Sequence, residues 1–236
     1  MSNILYWDFQ QAPPILDDLS GNSNTGAVSG ATRELAPDNT HYVYTFSGSA
    51  DGVYAEVSTS LTGMTSYSIE IWFNMTNTAG VYIASHGSSP LGFGQRGWFL
   101  RPLGVYVELR AYSTDGKYTT LSALAPTGVW TYMVGTISQA SSSINLYKNG
   151  SYVTSASFKT FRPETDYRAS VGKSPRFSSY FNGSIGLFKL YNDPLDDSTI
   201  LSNYQTTSGM YVAPSELPGT VLPTIMALFR NSIGVV

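Results

Sequence analysis

The 236 residues carry 13 Lys and Arg against 16 Asp and Glu, a net charge of −3, and only 12% of the chain is charged while aromatics reach 14%. With no basic run, that balance leaves no electrostatic footprint for a phosphate backbone and excludes nucleic acid as a partner. The length fits one large all-β domain, the absence of cysteine excludes a disulfide scaffold, and His41 and His86 complete no metal-ligand spacing.

Residues 1–9 hold neither a basic leader nor an apolar run long enough for export, so no signal peptide is expected there. The longest apolar stretch, 225–229, is far too short for a membrane span. Between these ends, period-two alternation recurs in short bursts bounded by Gly, Pro, Asn and Ser, and no helical period shows before residue 195. Over 67–73, Tyr67, Ile69, Ile71 and Phe73 share one face and Ser68, Glu70 and Trp72 the other, the pattern of a strand with one core face. Further strands are predicted at 80–84, 97–101, 105–112, 118–122, 130–138 and 143–148. Asn149-Gly150 predicts a type I′ hairpin and Asp115-Gly116 a second turn. The Gly- and Ser-rich stretches 19–30, 47–52, 87–97 and 174–179 read as loops.

After a strand over 181–192, Pro194 to Ile200 reads as the start of a short capped helix, and beyond Tyr204 the character changes. Pro214, Pro218 and Pro223 interrupt a segment ending in 224–229, where a short helix would put Ile225, Leu228 and Phe229 on one side. The expected organisation is therefore a domain over 1–205 and an apolar docking or assembly tail over 206–236, as a short helix or an extended segment.

Several pieces, in order, resemble the laminin-G-like, concanavalin A-type jelly rolls. They are Tyr6-Trp7-Asp8-Phe9, the Ser20-Gly21-Asn22-Ser23-Asn24 loop, Phe46-Ser47-Gly48, the Trp72 and Trp130 strands, Tyr147-Lys148-Asn149-Gly150, and the closing Phe181-Asn182-Gly183-Ser184-Ile185. The resemblance, spanning residues 4–205, implies an antiparallel β-sandwich that binds or bridges surfaces. Gly186 stands where many relatives carry an Asp that helps hold a structural calcium ion. No cofactor is therefore expected; calcium is the one candidate, with Asp8, Asp18 and Asn22 as oxygen ligands and Asp17 and Asp51 nearby in sequence.

Glycanases on this jelly roll carry a Glu-x-Asp-x-Glu strand, because retaining hydrolysis needs two carboxyl groups about 5–5.5 Å apart. This chain has no such triplet: Glu164-x-Asp166 reads as solvated loop charge, and Glu70 and Glu108 stand alone on their strands. The expectation is a protein without catalysis. Trp98, Tyr112, Tyr118, Phe177 and Tyr180 are the candidate ligand contacts, since exposed aromatic rings stack on pyranose faces, while Trp7, Trp72 and Trp130 are assigned to the framework. Low charge, 17 Tyr and the apolar tail point to a lectin-like module that is a structural or decorating subunit of a virion or cell surface layer, with protein partners and surface glycan. A free-standing glycan-binding protein is the alternative, and a glycoside hydrolase-like enzyme the outside one.

Overall fold

Alternating side chains that face inward from two stacked sheets build the core. The computed structural model describes residues 2–55, 58–78, 82–87, 96–165, 168–173 and 180–212. The first strands are β1 (Asn3–Trp7), β2 (Ile15–Leu16), β3 (Gly26–Ser29), β4 (Thr32–Leu35), β5 (Tyr42–Ser47) and β6 (Gly52–Ala55). They are followed by β7 (Tyr67–Met75), β8 (Ala84–His86), β9 (Trp98–Leu103), β10 (Tyr106–Tyr112) and β11 (Tyr118–Leu124). Then come β12 (Thr131–Ser138), β13 (Ser143–Lys148), β14 (Ser151–Ser157), β15 (Ala169–Val171), β16 (Asn182–Tyr191) and the helix α1 (Asp197–Tyr211).

One sheet has the order β14-β13-β12-β7-β16-β5-β4, with β1 added beside β16; the other runs β11-β10-β9-β8-β15-β6-β3-β2. All pairings are antiparallel. This is the expected all-β jelly-roll sandwich. Tyr67, Ile69, Ile71 and Phe73 of β7 meet Trp98, Leu100, Leu109 and Val171 of the opposite sheet in one continuous core. The Asn149-Gly150 hairpin is as predicted: both residues have positive φ, 49° and 77°, and Lys148 pairs with Ser151 across a two-residue turn.

The structure corrects three expectations. First, β7 has two buried faces. Trp72 and Glu70 are fully buried because α1 lies over the outer face of this sheet, and Trp72 packs against Tyr132, Tyr204 and Tyr211 at centroid distances of 5.2, 5.8 and 4.8 Å. Second, the helix runs past residue 205, where the tail was expected to begin. The Asp196 carboxylate caps its start by accepting the Thr199 N–H, and the helix continues to Tyr211 because Thr207, Ser208 and Tyr211 bury against the sheet. Residues 206–211 thus belong to the sandwich, and the proposed tail positions Ile225, Leu228 and Phe229 lie outside the described residues. Third, the strand placed over 80–84 is β8, shifted to Ala84–His86; its partners β9 and β15 select that segment, and 79–81 lie outside the described residues.

Candidate functional site

The two outer faces differ: α1 covers the middle of one sheet, and among the described residues no helix covers the other. On the helix-backed sheet, Trp72, Tyr132, Val134, Tyr147, Leu187 and Tyr191 form a second apolar cluster with Ile200 and Tyr211 of α1. On the other sheet, alternation sends Phe99, Arg101, Tyr106, Glu108, Arg110, Tyr112, Tyr118, Thr120, Ser122 and Leu124 outward, since Leu100, Val107, Leu109, Ala111, Leu121 and Ala123 point into the core. Tyr118 is 53% exposed and Tyr106 48% exposed on this face.

The centre of that face is a charge cluster. The Glu108 carboxylate lies 2.8 Å from the Arg110 guanidinium and 3.4 Å from Arg101 Nε, so two cations neutralise the one carboxylate that the strands of this sheet carry. Arg110 also stacks on Tyr118 at 4.0 Å from the ring centroid and on Phe99 at 5.2 Å. Further along, Arg168 and Lys173 both sit over the Tyr54 ring, at 4.5 and 4.4 Å. Burial, with Arg168 adding to it, holds the Lys173 amine below its ordinary pKa. Burial also pushes the Tyr82 phenol up to about 12, the neighbouring Tyr112 adding to it, so Tyr82 packs as a neutral ring against Phe99. The face therefore offers flat aromatic rings flanked by guanidinium donors, a surface suited to stacking and hydrogen bonding and poor in acids.

The predicted ligand contacts divide accordingly. Trp98 is 1% exposed and packs between Tyr67 and Phe188, so it is a core residue and is removed from ligand contact. Tyr112 is on the outer face but buried beneath Tyr118 and against Phe99, where it supports the surface without forming it. Tyr118 is exposed, Tyr180 is half-buried at a bridge to Lys173, and Phe177 lies outside the described residues. Sequence reasoning missed Arg101, Arg110 and Tyr54. The register that places Arg110 beside Phe99 and across from Thr120 is a tertiary fact, although the Glu-x-Arg spacing of Glu108 and Arg110 was a legible sign of a same-face ion pair.

Glu70 remains the one acid on its strand, and it accepts from the Tyr191 hydroxyl at 2.6 Å and Asn203 Nδ2 at 3.0 Å, with Lys189 Nζ at 3.5 Å. Glu164 is fully buried rather than solvated, its carboxylate accepting the Thr165 N–H, and Asp166 lies outside the described residues.

The residues proposed for calcium also bond within the protein. The Asp18 carboxylate accepts the backbone N–H groups of Tyr6, Ser20 and Asn24 and the Ser20 hydroxyl. Asn22 Nδ2 donates to the Asn3 carbonyl, and Asp8 accepts from the Gln10 N–H. Asp18 and Asn22 thus serve the free side of β1, and Asp8 bonds elsewhere. Gly186 makes room for Tyr211, whose hydroxyl donates to the Gly186 carbonyl at 2.7 Å. Among the described residues, no three acids or histidines gather as a metal site.

A groove of about 570 Å³ opens on the opposite face, at the C-terminal end of α1, between Trp130, Lys148, Asn149, Val153 and Tyr204. It was not anticipated from sequence.

A family model described as the concanavalin A-like lectin/glucanases superfamily matches residues 46–201. The chain belongs to this superfamily. No curated protein matches it. Among solved structures, this concanavalin A-like chain is similar to the binding domain of Paraclostridial Mosquitocidal Protein 1, at 13% identity and a TM-score of 0.70 over 87% of this chain and 52% of that one. It is also similar to the botulinum neurotoxin serotype D ligand-binding domain in complex with N-acetylneuraminic acid, at 18% identity and a TM-score of 0.69 over 87% and 51%. The serotype G binding domain follows at 16% identity and a TM-score of 0.66 over 88% and 51%. These likenesses concern the fold, and the concanavalin A-like chain spans about half the length of each.

Proposed function

We propose that this protein is a non-catalytic, lectin-like binding module whose ligand face is the outer surface of the open sheet, centred on Tyr118, Arg110 and Arg101. The observation that carries the reading is the asymmetry of the two sheets: α1 covers the middle of one outer face, while the other carries exposed tyrosines and two arginines around a single neutralised carboxylate. Stacking on a sugar ring needs an accessible aromatic plane, which Tyr118 offers, and the guanidinium groups supply directional donors for ring hydroxyls. Two carboxyl groups poised for glycoside hydrolysis are not part of this arrangement, since Glu108 is the one acid in the strands of this sheet. The superfamily and the binding-domain neighbours support the class of function by analogy of fold. Nothing in this reading requires a cofactor.

The test is a glycan array followed by calorimetry with the best soluble oligosaccharide. Binding that falls at least about tenfold in Tyr118→Ala, whose melting temperature stays at the wild-type value, supports the face; no signal above background, or unchanged affinity in Tyr118→Ala, rejects it.

The second reading, a structural or decorating subunit of a larger assembly such as a virion or a cell surface layer, is supported by the Tyr-rich, weakly charged composition. In that setting the module attaches the assembly to surface glycan, and its location is a virion or cell exterior. Co-purification of the chain with intact particles or envelopes tests it, and recovery only in the soluble fraction counts against it.

A further inference from the structure

Single exposed apolar side chains are ordinary on a folded protein, whereas a contiguous group of them marks a surface that meets something apolar. Four such side chains gather at one hairpin tip. β9 turns into β10 through Gly104 and Val105, with Leu103 paired to Tyr106, and Tyr106 pairs in turn with Leu124 at the end of β11. Leu103, Val105, Tyr106 and Leu124 are 51%, 52%, 48% and 48% exposed, and they make up a third of the large apolar side chains exposed among the described residues. Cross-strand neighbours on one face stand about 5 Å apart, so Leu103, Tyr106 and Leu124 form one unbroken row with Val105 at the turn beside it.

The tip runs past the strand beside it. β8 pairs with β9 only from Trp98 to Leu100, so the end formed by β9, β10 and β11 continues about three residues, or about 10 Å, beyond that ladder. Charge is layered behind the tip. Its four side chains carry no charge and one polar atom, the Tyr106 hydroxyl. Two residues back on the same face, Arg101, Glu108 and Ser122 form the next row, and Arg110 follows; two guanidinium groups against one carboxylate leave a net positive charge there. At the rise of a strand, the charged row lies about 7 Å behind the apolar one.

We propose that this tip seats in the interface of a lipid bilayer, with Leu103, Val105 and Leu124 at the boundary of headgroups and acyl chains and the Arg101 row at the depth of the lipid phosphates. Interfacial elements enter by about 5–10 Å, which the 7 Å step from apolar to charged row matches. Tyr106 joins an apolar ring to a polar hydroxyl, the pairing that suits this boundary, and the excess of guanidinium over carboxylate complements anionic headgroups. A bilayer accepts a convex apolar tip without matching its shape, whereas a protein partner has to provide a complementary pocket. The inference does not rest on the glycan reading. Tyr118 stands at the other end of β11, about 20 Å from Leu124 along the strand, so a tip seated in lipid holds that ring at the height of glycans carried by the same membrane.

Co-sedimentation of the full chain with vesicles of phosphatidylcholine and phosphatidylserine, free of glycolipid, tests this. The wild type should pellet with the vesicles. Leu103→Asp with Val105→Asp puts two charges on the tip and should weaken binding by at least about tenfold while circular dichroism stays that of the wild type. Leu201→Asp, at an exposed position on α1, should bind as the wild type does. Val105→Trp should still bind, and its added fluorescence should shift to the blue on the vesicles and be quenched by lipid brominated on the acyl chains. Because the vesicles carry no sugar, a blank glycan array and a failure here are separate results. A wild type that stays in the supernatant, binding kept by the double aspartate variant, binding lost in Leu201→Asp, or Val105→Trp emission that neither shifts nor quenches would each overturn the proposal.

Discussion

The Tyr211 hydroxyl donates to the Gly186 carbonyl at 2.7 Å, and the Tyr211 ring occupies the space where a Cβ of residue 186 would stand. Residue 186 is therefore glycine to let α1 close on the sheet. Gly186→Ala should cost about 1–3 kcal/mol through overpacking. Tyr211→Ala should cost about 3–5 kcal/mol through the cavity beside Trp72 and Trp130. Because both act on one contact, the double variant should lose less than the sum, which denaturant melts in a double-mutant cycle will show.

Glu70 sits under the helix with Tyr191, Asn203 and Lys189 around it. Glu70→Ala should destabilise by about 3–5 kcal/mol, because it strands the half-buried Lys189 amine and two donors. Glu70→Gln keeps an acceptor for the Tyr191 hydroxyl and should cost clearly less. Chemical denaturation of the two variants side by side measures the difference.

The buried tyrosines make the fold sensitive to alkali. Burial, with Tyr112 adding to it, raises the Tyr82 phenol to about 12, and burial moves Tyr67, Tyr132, Tyr191 and Tyr211 in the same direction. Below pH 10 folded and unfolded chains both keep these protons, so stability is flat with respect to these groups. As pH rises from 10 through about 12 the unfolded chain sheds them first, and stability falls with increasing pH. Absorbance of tyrosinate from the buried set should rise only as circular dichroism reports unfolding.

The Asp18 carboxylate holds three backbone N–H groups beside β1. Asp18→Ala should lower stability by about 1.5–3 kcal/mol, the scale of hydrogen bonds to a charged group. Calcium should leave the melting temperature of both proteins unchanged; a rise confined to the wild type would instead support a calcium site at Asp18.

Trp98 and Tyr118 lie on opposite faces of the same sheet. Trp98→Ala should cost about 3–5 kcal/mol as a core cavity, whereas Tyr118→Ala should move stability by less than about 1 kcal/mol and act on ligand binding. Thermal melts together with calorimetry separate the two.

The sequence by itself determined most of the long strands, the Asn149-Gly150 turn, a capped helix start within 194–200 and the lack of a Glu-x-Asp-x-Glu strand, because alternation, positive-φ residues and capping are local properties of the chain. It could not tell Trp98 from Tyr118 as core and surface. Both are aromatic residues in strands, and only the register against β10 assigns them to faces. It likewise showed Gly186 as a missing acid, when the cause is a tyrosine 25 residues later in the chain. The tertiary structure decided which sheet stays open, since that depends on where α1 packs.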